Sequence, residues 1–260
     1  MDLDLADAFH AAAAGRGLSH RLHAEAFGEE YPAEVDPSSS CTWTVLGEMV
    51  RRLRLRPDAL LVDLGCGRGG TGLWLARALS ARLVGIDISP KAVELATERI
   101  PEFFPAQAAD RARFQVGTFA ETGLPDECAD GLVVMDALSF GPDRDASLRE
   151  LRRILKPGAR AVFTGGRNNP GHPMYRPGRP TWEESIAAAG LELEAKVPRP
   201  EERGLWDRLN DLWESHEEEL RREDGDLPTD AKLTEARNHR PGRPYRDTWI
   251  FTARKPPVDA

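Results

Sequence analysis

The sequence predicts an α/β protein. A seven-stranded, mostly parallel sheet carries helices on both faces, with N-terminal helices ahead of it and a helical cap inserted near its end. Three observations predict this class. Short apolar runs alternate with segments of helical period between residues 60 and 165. The first run, Leu61-Val62-Asp63-Leu64, passes into the glycine-rich turn Gly65-Cys66-Gly67-Arg68-Gly69-Gly70 and then into Leu73-Trp74-Leu75-Ala76 at helical spacing. The second run, Leu83-Val84-Gly85-Ile86-Asp87, ends in an acid and is followed by Ser89-Pro90, an N-cap with proline at the first helical position.

The turn glycines let backbone approach a ligand that a Cβ would block. Gly65, Gly67 and Gly70 satisfy the pattern G-x-G-x-x-G, so the glycines alone do not name the ligand. Asp63 discriminates. A pyrophosphate is drawn to a helix N-terminus by its exposed N–H groups and dipole. A carboxylate two residues before the first glycine opposes that charge and suits a ligand presenting an ammonium. Asp87 is placed to accept both hydroxyls of a ribose, which nicotinamide and adenosyl cofactors share.

Further elements follow in order. Arg113-Phe114-Gln115-Val116-Gly117 reads as a third strand and Ala129 to Asp136 as a fourth, with Leu124-Pro125-Asp126 a turn between them. Leu148, Leu151, Ile154 and Leu155 form an amphipathic helix that stops at Lys156-Pro157-Gly158. Arg160 to Thr164 is a fifth strand, followed by an irregular loop from Gly165 to Pro173. Trp182 to Ala189 is a short helix, and Leu191 to Val197 alternates as a strand. One long amphipathic helix is expected from Glu201 to Glu223, with Tyr245 to Phe251 as the returning strand.

The segments VDLGCGRGG and GIDIS resemble the first two motifs of the class I methyltransferases that depend on S-adenosylmethionine (SAM). The resemblance covers roughly Leu60 to Gly165 and includes the KPG stop after the amphipathic helix. It implies a Rossmann-like fold, SAM as cofactor with S-adenosylhomocysteine as its product, and a cradle made by Asp63, Gly65, Cys66, Gly67, Asp87, Ile88, Thr118, Phe119 and Met135. The family most often has an acid where Thr118 stands, so the adenine contact departs from the pattern. Phe119 is open to two readings, an adenine neighbour or simple core packing. Within the family the chain is most similar to bacterial enzymes that methylate oxygen, nitrogen or carbon of specialised metabolites.

Composition sets bounds on the rest. The net charge of −8 disfavours nonspecific nucleic-acid binding, and Asp136-Ala137-Leu138-Ser139 stands where a nucleobase amino methylase would carry an Asn/Asp-Pro-Pro-aromatic tetrapeptide. Cys41, Cys66 and Cys128 show no metal spacing and suggest a reducing compartment. No apolar run approaches transmembrane length. The expectation is a cytoplasmic enzyme, monomer or homodimer, taking a small-molecule acceptor and neither metal, membrane nor nucleic acid.

Four segments are expected: an N-terminal helical lid (1–56), the SAM-binding core (57–200), a substrate cap (201–244) and the final strand with its tail (245–260). His172, in the loop after the fifth strand, is a candidate general base, or else a solvated loop histidine. His216 continues the Leu209–Leu212 stripe and is a weaker candidate. His20 and His23 lie three apart on a helix, too few for a metal site. Arg176-Pro177-Gly178-Arg179-Pro180 recurs as Arg240-Pro241-Gly242-Arg243-Pro244, either an anion clamp or two exposed turns. Two other functions remain open: a nonmethylating step such as cyclisation on the same fold, and a nicotinamide oxidoreductase, which Asp63 opposes.

Overall fold

A computed structural model describes residues 7, 10, 17–105, 108–141 and 143–257. The sheet is built from β1 (Leu60–Leu64), β2 (Arg82–Asp87), β3 (Ala112–Val116), β4 (Ala129–Val134), β5 (Leu155–Asn168), β6 (Glu192–Pro198) and β7 (Arg246–Arg254). Its order is β3-β2-β1-β4-β5-β7-β6. β7 runs antiparallel to β5 and β6, while the pairings among β1 to β5 are parallel. The order reverses between β1 and β4, the switch point where ligands bind in open α/β sheets.

The labelled helices are α1 (Leu18–Phe27), α2 (Trp43–Leu53), α3 (Gly70–Ala78), α4 (Pro90–Glu98), α5 (Arg144–Ile154), α6 (Trp182–Ala188), α7 (Glu202–Ser215), α8 (Glu217–Asp224) and α9 (Asp226–His239). Short helical turns occupy Ile100–Phe103 and Ala108–Arg111. The apolar runs that predicted β1, β2 and β4 are buried on both sheet faces, as parallel strands between helical layers require. Val62, Leu132 and Phe163 face one layer with α5 and α6; Leu61, Val133 and Val162 face the other with α2 and α3.

Local chemistry sets the element ends. Thr42 accepts from Val45 N at 3.2 Å and starts α2. Ser89 caps α4 through Ala92 N at 3.0 Å with Pro90 behind it, as its sequence predicts. Two expectations are corrected. β5 is not a short strand followed by a loop from Gly165; it spans 14 residues, starting at Leu155, which pairs with Ala129 of β4 and so leaves the helix at Ile154, and running against β7 as far as Asn168↔Arg246. Nor is 201–223 one helix. The chain breaks at His216, whose Nδ1 lies 3.0 Å from Leu212 O and 3.1 Å from Ser215 Oγ, so a local side-chain contact competes with helical continuation.

A third apolar cluster lies outside the sheet. Leu18, Leu22, Phe27 and Tyr31 from the N-terminal segment pack on Leu205, Leu209 and Trp213 of α7, with Leu220 and Leu233. The α1 region and the segment between β6 and β7 therefore share one core. Trp213 is buried in that cluster. Most of residues 1–16, part of the expected lid, lies outside the described residues.

Candidate active site

The glycine turn after β1 folds under the end of β2. Gly65 (φ 72°), Gly67 (φ 51°) and Gly69 (φ 75°) adopt left-handed backbone, which explains the residue type. Gly65 N and Cys66 N donate to Ile86 O at 2.8 and 3.0 Å. Asp87 ties the two strand ends together: Oδ2 accepts from Gly67 N at 2.8 Å and Oδ1 from Ser89 N at 3.0 Å. A carboxylate has about four lone-pair sites, so each Asp87 oxygen retains capacity for a ligand hydroxyl. Beside it Ile88 is 43% exposed, an apolar side chain left open at the carboxyl edge.

Asp63 lies beneath the turn, only 1% exposed, against the first turn of α3; a Cβ on Gly72 would meet Asp63 Cβ at 2.9 Å. Burial pushes its carboxyl up to about 7, aided by the Asp87 charge and opposed by the Gly72 amide. Its Oδ2 has no hydrogen-bond partner among the described residues. The cation within the turn, Arg68, is committed elsewhere: Nη1 donates to Asp36 Oδ2 and Nη2 to Asp36 O, both at 3.0 Å. The turn thus offers an unsatisfied buried carboxylate oxygen and no free guanidinium, a poor phosphate site that fits an ammonium-bearing cofactor.

Asp36 anchors the N-terminal segment here. It also binds His20 and accepts from Tyr31 Oη at 3.0 Å. Burial raises its carboxyl, but Arg68 and His20 outweigh burial and hold it at about 2. His23 faces Ser39 O at 3.1 Å, so both α1 histidines have structural partners. Burial lowers the His23 imidazole to about 4. His10 also stands over the turn, with its Cε1 3.4 Å from where a Gly67 Cβ would be, and Asp7 binds Ser89 Oγ at the start of α4.

The remaining cradle residues divide. Cys66 and Met135 are buried at the turn and at the end of β4. Phe119 is half-buried, its ring 3.1 Å from where a Gly65 Cβ would lie, and it packs on the core. Thr118 is exposed and closes a turn with Glu121, with N donating to Glu121 O and Oγ1 accepting from Glu121 N, both at 3.0 Å.

Residues 62–163 match the methyltransferase domain family. That stretch of the core is similar to methyltransferase domains. GfsG, a methyltransferase of Streptomyces halstedii, is 28% identical over 132 residues, covering 51% of this chain and 46% of that protein. The 27-O-demethylrifamycin SV methyltransferase of Amycolatopsis mediterranei is 35% identical over 111 residues, covering 43% and 40%. The matches thus span about half the length of these relatives. The [4+2]-cyclase SpnF superposes with TM-score 0.69 at 22% identity, covering 83% of this chain and 81% of that one; at that identity it shows the fold alone.

Beyond β4 lies a polar node that sequence reasoning missed. Asp136 adopts left-handed backbone (φ 53°) although it is not glycine. Its N donates to Thr164 Oγ1 at 2.7 Å, Thr164 Oγ1 donates back to Oδ1 at 2.8 Å, and Ser40 donates to Oδ2 from N at 2.7 Å and from Oγ at 2.5 Å. Arg199, 3% exposed at the end of β6, donates to Ser40 Oγ at 2.9 Å and Ser40 O at 2.6 Å. Glu202 at the start of α7 and Glu235 on α9 face the same region; burial raises both carboxyls, and the Asp136 charge raises them further. The only sequence signal was Asp136 at the end of an apolar run. Nothing in Pro198-Arg199-Pro200 or in the α9 sequence pointed to this site.

The two predicted histidines part company. His172 sits in the turn after β5, its Nδ1 accepting from Met174 N at 3.0 Å and its ring against Gly242. His216 marks the helix break, roughly 20 Å along α7 from Glu202 by helical rise. The second RPGRP segment does not clamp an anion with the first. Arg243 is turned inward to Asp207 Oδ1 at 2.7 Å, and Arg240 reaches Asp211 at 2.8 Å, so acids of α7 consume both. Among the described residues no helix is long and apolar enough to cross a membrane.

Proposed function

We propose that the protein transfers the methyl group of SAM to oxygen, nitrogen or carbon of a small-molecule acceptor, a specialised metabolite of bacterial type. The observation that carries this reading is Asp87, whose carboxylate fastens the glycine turn beside exposed Ile88. Asp87 would hold the ribose hydroxyls, Ile88 and Phe119 the adenine, and Asp63 the ammonium through its unsatisfied Oδ2. When bound, SAM supplies a sulfonium methyl that is already activated. The protein's own part is alignment and the exclusion of water. The α1 region and the 201–244 segment serve together as one cover, since they share a core. Three free cysteines fit a reducing cytoplasm.

Calorimetry on the purified chain tests the reading: SAM and S-adenosylhomocysteine bind and NADH does not. Binding of NADH without SAM would overturn it. Product mass then separates methyl transfer from a nonmethylating step on the same fold.

A further inference from the structure

We propose that Arg246, together with His172 and His239, forms a subsite for an anionic group of the acceptor, a carboxylate or a phosphate. The inference rests on the methyltransferase reading and adds a substrate class to it.

Arg246 opens β7 opposite Asn168. Its guanidinium lies flat over Gly166 of β5, where a Cβ would come within 2.8 Å of Nε, and Nη1 donates to Asn168 Oδ1 at 3.1 Å. The group is thus held in place before any ligand arrives. It is exposed, and it forms no ion pair with any described residue. The nearby arginines of the second RPGRP segment differ, since Arg240 and Arg243 are neutralised by α7 acids.

Two histidines border the turn that leads into Arg246. The His172 ring packs on Gly242, and Gly242 N donates to His239 O at 3.0 Å, so one tight turn links both. His239 Nδ1 lies 3.7 Å from Glu235 Oε1 on its own helix. Burial lowers both imidazoles. For His172 the Arg246 charge adds to this; for His239 the Arg243, Arg246 and His172 charges do. Both rings are thus held toward the neutral form, and an added anion would favour their charged forms. Glu202 also faces Arg246, but burial raises its carboxyl and weakens it as a competing anion.

The register sets the scale. Thr164, which binds Asp136, precedes Gly166 by two residues on β5. Two residues of strand span about 7 Å. An anionic group on Arg246, over Gly166, would therefore lie about 7 Å along β5 from the Thr164–Asp136 contact.

The test is imidazole NMR on the full chain saturated with S-adenosylhomocysteine, titrated with inorganic phosphate and, separately, with acetate. Phosphate or acetate is expected to raise the titration midpoints of His172 and His239, and the stronger of the two identifies the anion class. Arg246→Gln should weaken that response about tenfold, the loss of one charge-assisted contact, while Arg246→Lys retains part of it. S-adenosylhomocysteine affinity, measured by calorimetry on the same samples, should be unchanged and shows that the variants are folded. Unshifted midpoints with both anions, or an undiminished response in Arg246→Gln, would overturn the subsite. Failure to bind S-adenosylhomocysteine at all would instead overturn the methyltransferase reading.

Discussion

Arg199 Nη1 stands 3.7 Å from Asp136 Oδ1, and Ser40 binds both of them. Three distant pieces of chain meet there: the segment before α2, the end of β4 and the end of β6. Arg199 is almost wholly buried, so its charge depends on this company. Removing one partner of a buried charged pair costs about 3 kcal/mol or more, because the other is left uncompensated. Asp136→Ala is expected to destabilise by about that amount. Asp136→Asn, which tolerates left-handed backbone, should cost less. Urea unfolding with unchanged slope measures both; equal losses in the two variants would contradict this ranking.

On the proposed reading, in which Asp63 holds the ammonium, cofactor binding is expected to be pH-dependent. Its carboxyl in the ligand-free protein titrates near about 7, and an ammonium ligand favours the ionised form. SAM affinity should therefore rise as pH increases from 5 to about 7 and level off above it, with proton release on binding below that point. Calorimetry in buffers of different ionisation enthalpy detects the released proton. Asp63→Asn should flatten the profile.

Asp87→Asn keeps the size of the side chain but removes its charge. Hydrogen bonds to a charged group contribute roughly 1.5–3 kcal/mol, so SAM affinity should fall about tenfold to a hundredfold. An unchanged Kd in the folded variant would remove Asp87 from the ribose site.

The ion pair between Asp36 and Arg68 governs the acid limb of stability. The folded carboxyl sits at about 2, against an ordinary value of 3.8. Its contribution is present above about pH 4 and is lost as pH falls toward 2. Asp36→Asn should lower stability at neutral pH and narrow the difference from wild type in that acid window. Thermal melts from pH 2 to 7 decide this.

Leu209 is fully buried between α1 and α7. Truncation of such a side chain costs about 2–5 kcal/mol. Leu209→Ala should loosen α1 as well as α7, seen as faster hydrogen exchange across Leu18–Phe27. Exchange confined to α7 would mean that the two segments do not act as one cover.

The sequence by itself determined the frame around the glycine turn. A glycine turn between an apolar strand and a helix, then an acid at the next strand end, are local patterns, and parallel strands must be apolar because both faces are covered. Gly65, Gly67 and Asp87 accordingly lie together, within a few residues of where the pattern places them. Only the tertiary structure decided the polar cluster beyond β4. Asp136, Thr164, Arg199, Glu202, Glu235 and Arg246 come from six separate elements, and no spacing rule links them. The fate of each charge was equally invisible. Arg243 and Arg246 stand three apart in one basic segment, yet packing gives the first an acid from α7 and lays the second, unpaired, over Gly166. Partner choice among buried polar groups follows from which elements pack together, and that is a long-range property of the chain.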